Sequence, residues 1–324
     1  MIVITGGAGF IGSVLARRLN DAGHSDLLIV DHLGSSEKWK NLVPLAFTDY
    51  IDRGDFIERL EHGDFGDDID VVFHLGACSS TTETNADYLM ENNYRYSVRI
   101  AAWRETHRKT RLIYASSAAT YGNGELGYSD DESRLHALRP LNMYGYSKHL
   151  FDLHAHRCGW LSEIVGLKYF NVFGPNEVHK GDMRSVVNKA YPRLRDEGII
   201  TLFESHRSDY ENGAQRRDFV YVKDAVDMTL FFMEHRAPAG IYNIGTGCSR
   251  SWNDLANAMF AALGAKPNIS YIPMPETLRP KYQYFTQADT AKLLTAGCRV
   301  RCRTLEESVA EYVCDYLSGD GRIS

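Results

Sequence analysis

The sequence predicts an α/β fold, a doubly wound parallel sheet with a smaller, interleaved second lobe, and three observations carry that prediction. Short apolar runs alternate with segments of helical periodicity through the first half of the chain. A glycine-rich turn, Thr5-Gly6-Gly7-Ala8-Gly9-Phe10-Ile11-Gly12, directly follows the apolar run Met1-Ile2-Val3-Ile4. The alternation stops at Gly174-Pro175 and resumes later for one strand, helix and strand.

Taken in order, the first strand is expected at residues 1–4, and the helix after the turn is continued by Val14, Leu15 and Leu19 at helical spacing. Gly6, Gly9 and Gly12 stand three apart, which permits a tight turn, close approach of backbone to a pyrophosphate, and close helix–strand packing. The helix N-terminus adds free N–H groups and a positive dipole end. A glycine pattern alone equally describes a turn. Here residues 26–31 read as a second buried strand ending in Asp31, where an acid accepts ribose hydroxyls, and this context favours a dinucleotide site. Strands follow at 70–75 and 110–115 with a long helix over 88–107 between them, then a helix over 144–157 and a strand over 163–170. This order indicates a parallel sheet covered on both faces, with right-handed crossovers.

From Asn171 onward the pattern gives a loop at 175–182, a helix at 184–195, a short strand at 199–203 and an exposed polar loop at 206–215. A strand at 218–222, a helix at 224–234 and a strand at 240–245 are expected to return to the main sheet, and helices at 252–263 and 304–317 close the chain. Residues 1–170, with 216–245 returning to them, are therefore assigned to a dinucleotide-binding domain. Residues 171–215 and 246–324 are assigned to a substrate-binding lobe.

The 324 residues are 44% hydrophobic and 24% charged, enough for a sizeable core and two lobes. A net charge of −6 with no long basic block argues against a nucleic-acid partner. No apolar stretch approaches the roughly 18 residues of a membrane span. The first strand begins at the initiator methionine and leaves no room for a secretory signal, so a cytoplasmic protein is expected. Cys78, Cys158, Cys248, Cys298, Cys302 and Cys314 lack C-x-x-C or zinc spacing, and free thiols without a metal are expected. His154 and His156 read as a helix surface.

Chemistry is concentrated in two segments. Tyr144 and Lys148 lie four apart on one face of a helix, a phenol beside an ammonium. A nearby cation favours the phenolate, which then takes a proton from an alcohol as hydride leaves the same carbon. Ser117 stands in Ala115 to Gly122, just past a strand, at the sheet edge where ligands bind in open α/β folds. Alone, the first segment is an ordinary helix surface and the second a capped loop; the phosphate turn, serine and Tyr-x-x-x-Lys in this order argue against chance.

These elements resemble the extended short-chain dehydrogenase/reductase family of nucleotide-sugar enzymes over almost the full chain. Within it, His74 to Thr82, Asn92-Asn93-Tyr94, Tyr114 to Gly122, Tyr169 to Pro175, His179-Lys180-Gly181, Arg217 to Val222 and Phe285 to Asp289 are similar to the ADP-heptose 6-epimerase branch. The resemblance implies a Rossmann-type sheet and an isomerase that inverts C6 of ADP-D-glycero-β-D-manno-heptose for the lipopolysaccharide inner core. One tightly bound NADP serves both halves of the reaction, through a transient 6-ketone with no net redox change. A homo-oligomer is implied, a pentamer being known among members.

Tyr144 is thereby implied as base for one epimer and Lys180 as acid/base for the other, with Ser117 steadying the oxygen and Lys148 lowering the tyrosine pKa and holding the ribose. By its own sequence Lys180 reads as a solvated loop lysine. The implied cofactor positions are Gly6, Gly9, Phe10, Ile11, Gly12, Asp31, His32, Lys38, Arg53, Leu75, Gly76, Ala77, Cys78, Ser79, Asn92, Tyr144, Lys148, Val172 and Lys180. The implied substrate positions are Ser117, Asn171, Asp182, Lys189, Phe203, Glu204, Ser205, His206, Arg217 and Tyr282. Arg217 reads either as a pyrophosphate clamp or as a salt-bridge partner of Asp218 or another acid. Asp31 argues for NAD, Lys38 and Arg53 for NADP, and the resemblance favours NADP with NAD possible. Asp182, Lys189, Leu75 and Ser205-His206 depart from the branch pattern on the ligand side. Two other readings stay open: another nucleotide-sugar epimerase, such as a UDP-hexose 4-epimerase, and a dinucleotide-sensing regulator, against which Tyr144 and Lys148 both speak.

Overall fold

The computed structural model describes residues 1–235 and 238–323. The strands are β1 Ile2–Thr5, β2 Leu27–Asp31, β3 Asp49–Asp52, β4 Val71–His74, β5 Arg111–Ser117, β6 Val165–Tyr169, β7 Asn171–Phe173, β8 Ile200–Phe203, β9 Arg216–Tyr221, β10 Gly240–Ile244, β11 Ser249–Ser251 and β12 Ile269–Ile272. The helices are α1 Phe10–Asp21, α2 Arg53–His62, α3 Ala86–Leu89, α4 Tyr96–Thr106, α5 Met143–Arg157, α6 Val186–Glu197, α7 Val222–Glu234, α8 Trp252–Ala262, α9 Ala291–Thr295 and α10 Leu305–Glu311.

The main sheet is parallel throughout and ordered β10-β6-β5-β4-β1-β2-β3, so strand order reverses between β1 and β4. Side-chain alternation along the strands makes two cores. Ile2, Ile4, Ile29, Phe73, Ile113 and Leu167 face α1 and α7. Val3, Leu28, Val30, Val72, Leu112 and Tyr114 face α2, α4 and α5. A third core, holding Phe173, Val187, Leu202, Phe219, Leu255 and Val309, forms the smaller lobe from both sides of the returning segment. The fold class is therefore the expected one. No helix among the described residues is long and apolar enough to cross a membrane, and the six cysteines are free.

Two expectations are corrected. Of the segment expected to return to the main sheet, only β10 joins it; β9 pairs with β7 and β11 in a separate three-stranded sheet. A buried apolar strand specifies that it needs a neighbour and leaves the neighbour's identity to tertiary packing. The long helix over 88–107 is also interrupted, because residues Met90–Arg95 form a π-helical turn between α3 and α4. That turn carries Asn92 and Asn93 towards the β4 loop, where Asn93 exchanges hydrogen bonds of 2.9 Å with the Cys78 backbone N–H and carbonyl.

Candidate active site

A cleft of 730 Å³ opens beyond the carboxyl ends of β1, β4 and β5, at the strand-order reversal. Its size falls within the roughly 300–1,000 Å³ of ligand sites, which marks it as a binding site and not a packing defect. The glycine turn forms one wall. Gly6 has φ +70°, and a Cβ there would stand 2.7 Å from the Gly76 nitrogen. The β4 loop therefore lies against the turn with no room for a side chain. Helix α1 starts at Phe10 with no side chain capping its N-terminus, so its first N–H groups face the cleft. This cradle fits a dinucleotide pyrophosphate.

A buried histidine ties the two loops together. Ser97 Oγ donates to the Asn93 carbonyl at 2.5 Å, so it accepts from His74 Nε2 at 2.8 Å. That leaves His74 Nδ1 to accept from Thr5 Oγ1 at 2.7 Å, while Thr5 Oγ1 accepts from the Gly76 N–H at 3.0 Å. Burial holds His74 neutral, at about 3. The sequence places His74 and Asn93 in segments that carry the resemblance but gives neither a role; two adjacent amides inside an apolar helical pattern are the available signal.

At the far end of the wall, Asp31 is nearly buried and fully engaged. Its carboxylate accepts from the Ala8 N–H at 2.9 Å and the His32 N–H at 2.7 Å, and it pairs with Lys38 Nζ at 2.7 Å. The Lys38 charge offsets the repulsion Asp31 alone would exert on a phosphate. Arg53 bonds the Asn92 side-chain oxygen, and His32 pairs with Asp52 at 3.0 Å. Phe10, Ile11, Leu75, Ala77, Cys78, Ser79 and Val172 line the same cleft.

Ser117, Tyr144, Lys148 and Lys180 all reach this cleft, from β5, α5 and the 3-10 segment Val178–Met183. Strand β5 runs two residues beyond the expected end, and this places Ser117 at the sheet edge. Burial raises the Tyr144 phenol above its ordinary value, and its hydrogen bond with Ser117 works against that rise. Lys148 lies one helical turn beyond Tyr144 on α5. Its ammonium donates to the Ala115 carbonyl at 2.8 Å, and burial lowers it to about 8. Lys180 is no solvated loop lysine. Its Nζ lies 5.0 Å from the centre of the Phe10 ring, burial lowers its pKa, and Glu177 favours its charged form. Glu177 itself is fully buried and accepts from the Ser185 N–H at 2.6 Å and Tyr312 Oη at 3.1 Å.

On the ligand side the placement is mixed. Asn171, Asp182 and Lys189 line the cleft, and Lys189 Nζ donates to the Asp182 backbone carbonyl at 3.2 Å. Phe203, Glu204, Ser205, His206, Arg217 and Tyr282 do not line it. The loop after β8 folds back, with the His206 N–H donating to Tyr284 Oη at 2.9 Å and the Ser205 N–H to the Asn212 side chain at 2.9 Å. Arg217 makes no salt bridge with Asp218, whose carboxylate faces away to the N–H groups of Thr246, Gly247 and Ala288. The Arg217 guanidinium lies instead 5.7 Å from the Trp252 ring centre and 5.0 Å from that of Tyr282. Trp252 lines the cleft and donates to Tyr282 Oη at 2.9 Å, so Arg217 and Tyr282 continue the wall outward.

A profile of the NAD dependent epimerase/dehydratase family matches residues 2–245. The ADP-L-glycero-D-manno-heptose-6-epimerase of Nitratidesulfovibrio vulgaris strain DP4 is 53% identical over 98% of both chains. That of Fusobacterium nucleatum is 45% identical, again over 98% of both. The crystal structure of the Helicobacter pylori ADP-L-glycero-D-manno-heptose-6-epimerase superposes with a TM-score of 0.80 at 29% identity, covering 96% of this chain and 94% of that one. The chain belongs to the NAD dependent epimerase/dehydratase family and groups within it with the ADP-L-glycero-D-manno-heptose-6-epimerases.

Proposed function

We propose that this protein inverts C6 of ADP-D-glycero-β-D-manno-heptose to the L-glycero epimer through a 6-ketone, using a tightly bound NADP. The observation that carries this reading is the convergence of Ser117, Tyr144, Lys148 and Lys180 on one cleft whose glycine wall fits a dinucleotide. The C6 hydrogen is not adjacent to a carbonyl and is not acidic, so direct proton abstraction fails and transient oxidation is needed. When bound, the nicotinamide supplies a reversible acceptor and donor of hydride. Tyr144 takes the alcohol proton of one epimer while Ser117 holds the oxygen. After the ketone presents its other face, the oxygen sits elsewhere and Lys180 delivers the proton. Lys148 fixes the ribose and the tyrosine. Arg217 clamps the pyrophosphate with its planar fork, held between Trp252 and Tyr282.

In this reading residues 1–170 hold most of the dinucleotide and 171–215 with 246–324 most of the ADP-sugar, while β9 of the 216–245 segment, paired with β7 and β11, brings Arg217 to the ADP-sugar. The protein acts in the cytoplasm, where nucleotide sugars are made, as a homo-oligomer. Purified protein given ADP-D-glycero-D-manno-heptose without added nicotinamide is expected to yield the L-glycero epimer, followed by NMR at C6. No product even after NADP is supplied would sink the proposal.

The Asp31–Lys38 pair supports NADP over NAD, because it keeps a cation beside the acid at the end of β2, available to a 2′-phosphate. Lys38→Ala is expected to weaken NADP by about 10- to 150-fold and leave NAD nearly unchanged, since a charge-assisted bond is worth roughly 1.5–3 kcal/mol. Titration of both nucleotides against the stripped protein checks this; equal losses would refute the assignment.

A further inference from the structure

Behind the cleft lies a charged pair that the proposed reaction does not use. Asp152 and Lys168 are fully buried and neither lines the cleft. Asp152 follows Lys148 by one helical turn on α5, as Lys148 follows Tyr144, so the three form one column facing the sheet. Lys168 lies on β6, directly across from Ser116 of β5. The Asp152 carboxylate accepts from Tyr114 Oη at 2.9 Å and Ser116 Oγ at 2.7 Å, and stands 3.4 Å from Lys168 Nζ. Lys168 donates to Thr120 Oγ1 at 2.6 Å, and Thr120 Oγ1 donates to the Ser117 carbonyl at 2.8 Å. The same turn is closed by the Ala119 N–H donating to Ser117 Oγ at 3.1 Å.

We infer that Asp152 and Lys168 are positioning residues for this reaction: Asp152 sets a carboxylate one helical turn from Lys148, and Lys168 fixes the turn that aims Ser117. The inference rests on the proposed roles of Ser117, Tyr144 and Lys148. Packing alone does not explain the pair, because apolar residues of similar volume usually stabilise a core as well or better than a buried ion pair. What apolar residues would not supply is a negative charge one turn from Lys148 and a cation on the Ser117 turn. Around Lys148 the titratable groups are Tyr144 and Asp152 on α5, His74 at the end of β4, Tyr114 on β5 and Lys168 on β6. In the protein alone burial holds His74 neutral and keeps Tyr114 and Tyr144 protonated, so there Asp152 opposes the effect of burial on Lys148.

The test uses Asp152→Asn, Lys168→Met and the double variant, each assayed for kcat, KM and pH profile. The Lys148 side chain is titrated alongside by NMR of lysine labelled at Cε, with Lys148→Met to assign the resonance. In Asp152→Asn and the double variant the Lys148 titration is expected to move down by about one unit. The alkaline limb of the kcat profile moves to lower pH with it, since the ammonium is lost earlier. Lys168→Met is expected to lower kcat about tenfold, with KM within about twofold and no downward shift of Lys148. Should Asp152→Asn fail to fold because Lys168 is left unpaired, the double variant removes both charges and carries the test. A folded double variant with the wild-type Lys148 titration, or a Lys168→Met with wild-type kcat, overturns the inference. The titration needs no substrate, so a wild-type protein inactive on ADP-heptose refutes the proposed function and leaves this reading of Lys148 to be judged by the NMR result.

Discussion

Tyr144→Phe is expected to lower kcat for C6 inversion by about 10²–10⁴-fold, the usual contribution of a positioned general base, while the protein stays folded and keeps its dinucleotide. The substitution removes one oxygen and leaves the ring. Burial disfavours the charged phenolate in the protein alone, so loss of the hydroxyl removes no stabilising charge. The Ser117 turn keeps its own bonds to Ala119 and Thr120. Nothing nearby substitutes for the base. Lys148 is engaged with the Ala115 carbonyl, and Lys180 approaches from the segment after β7 beside Phe10. The measurement is single-turnover conversion of ADP-heptose with the bound nucleotide quantified on the same sample. Near wild-type turnover would remove Tyr144 from the mechanism; lost nucleotide would show that its role is structural.

The β1 turn and α1 were legible in the sequence because glycine spacing, apolar period and the acid at Asp31 are all local signals. Tyr144 and Lys148 were legible because four residues on a helix bring two side chains to one face. Lys180 was not, since it is half-buried by Phe10, 170 residues earlier in the chain, and held by the turn in which its N–H donates to the Glu177 carbonyl. The same limit applies to Arg217. Its strand was visible, yet the choice of β7 and β11 as partners, and of Trp252 and Tyr282 as its ring neighbours, is made by contacts distant in sequence. The Asp152–Lys168 pair follows the same rule: period 3.6 gave Asp152 its face, and only the β5–β6 register gave it Lys168.

Gly12→Ala is expected to strip the protein of its dinucleotide and to destabilise it, against the sign that helix propensity predicts. Alanine in place of a helical glycine ordinarily stabilises by up to about 1 kcal/mol. Gly12 lies in the first turn of α1, but a Cβ there would stand 2.2 Å from the Gly6 carbonyl oxygen and 3.0 Å from the Gly7 Cα. A Cβ has no rotamer with which to escape, and both neighbours are backbone atoms. Either α1 retreats from the turn or Gly6 moves, and Gly6 is already wedged against Gly76. Overpacking of this kind costs roughly 1–3 kcal/mol, which exceeds the propensity gain. Retreat of α1 also withdraws the N–H groups that face the phosphates, so affinity for the dinucleotide should fall at least about a hundredfold, roughly the loss of two charge-assisted hydrogen bonds. Thermal melts of stripped protein isolate the first effect, and nucleotide content after purification reports the second. A variant that melts higher than wild type and still copurifies with its dinucleotide would show that α1 does not pack against the turn in solution as it does here.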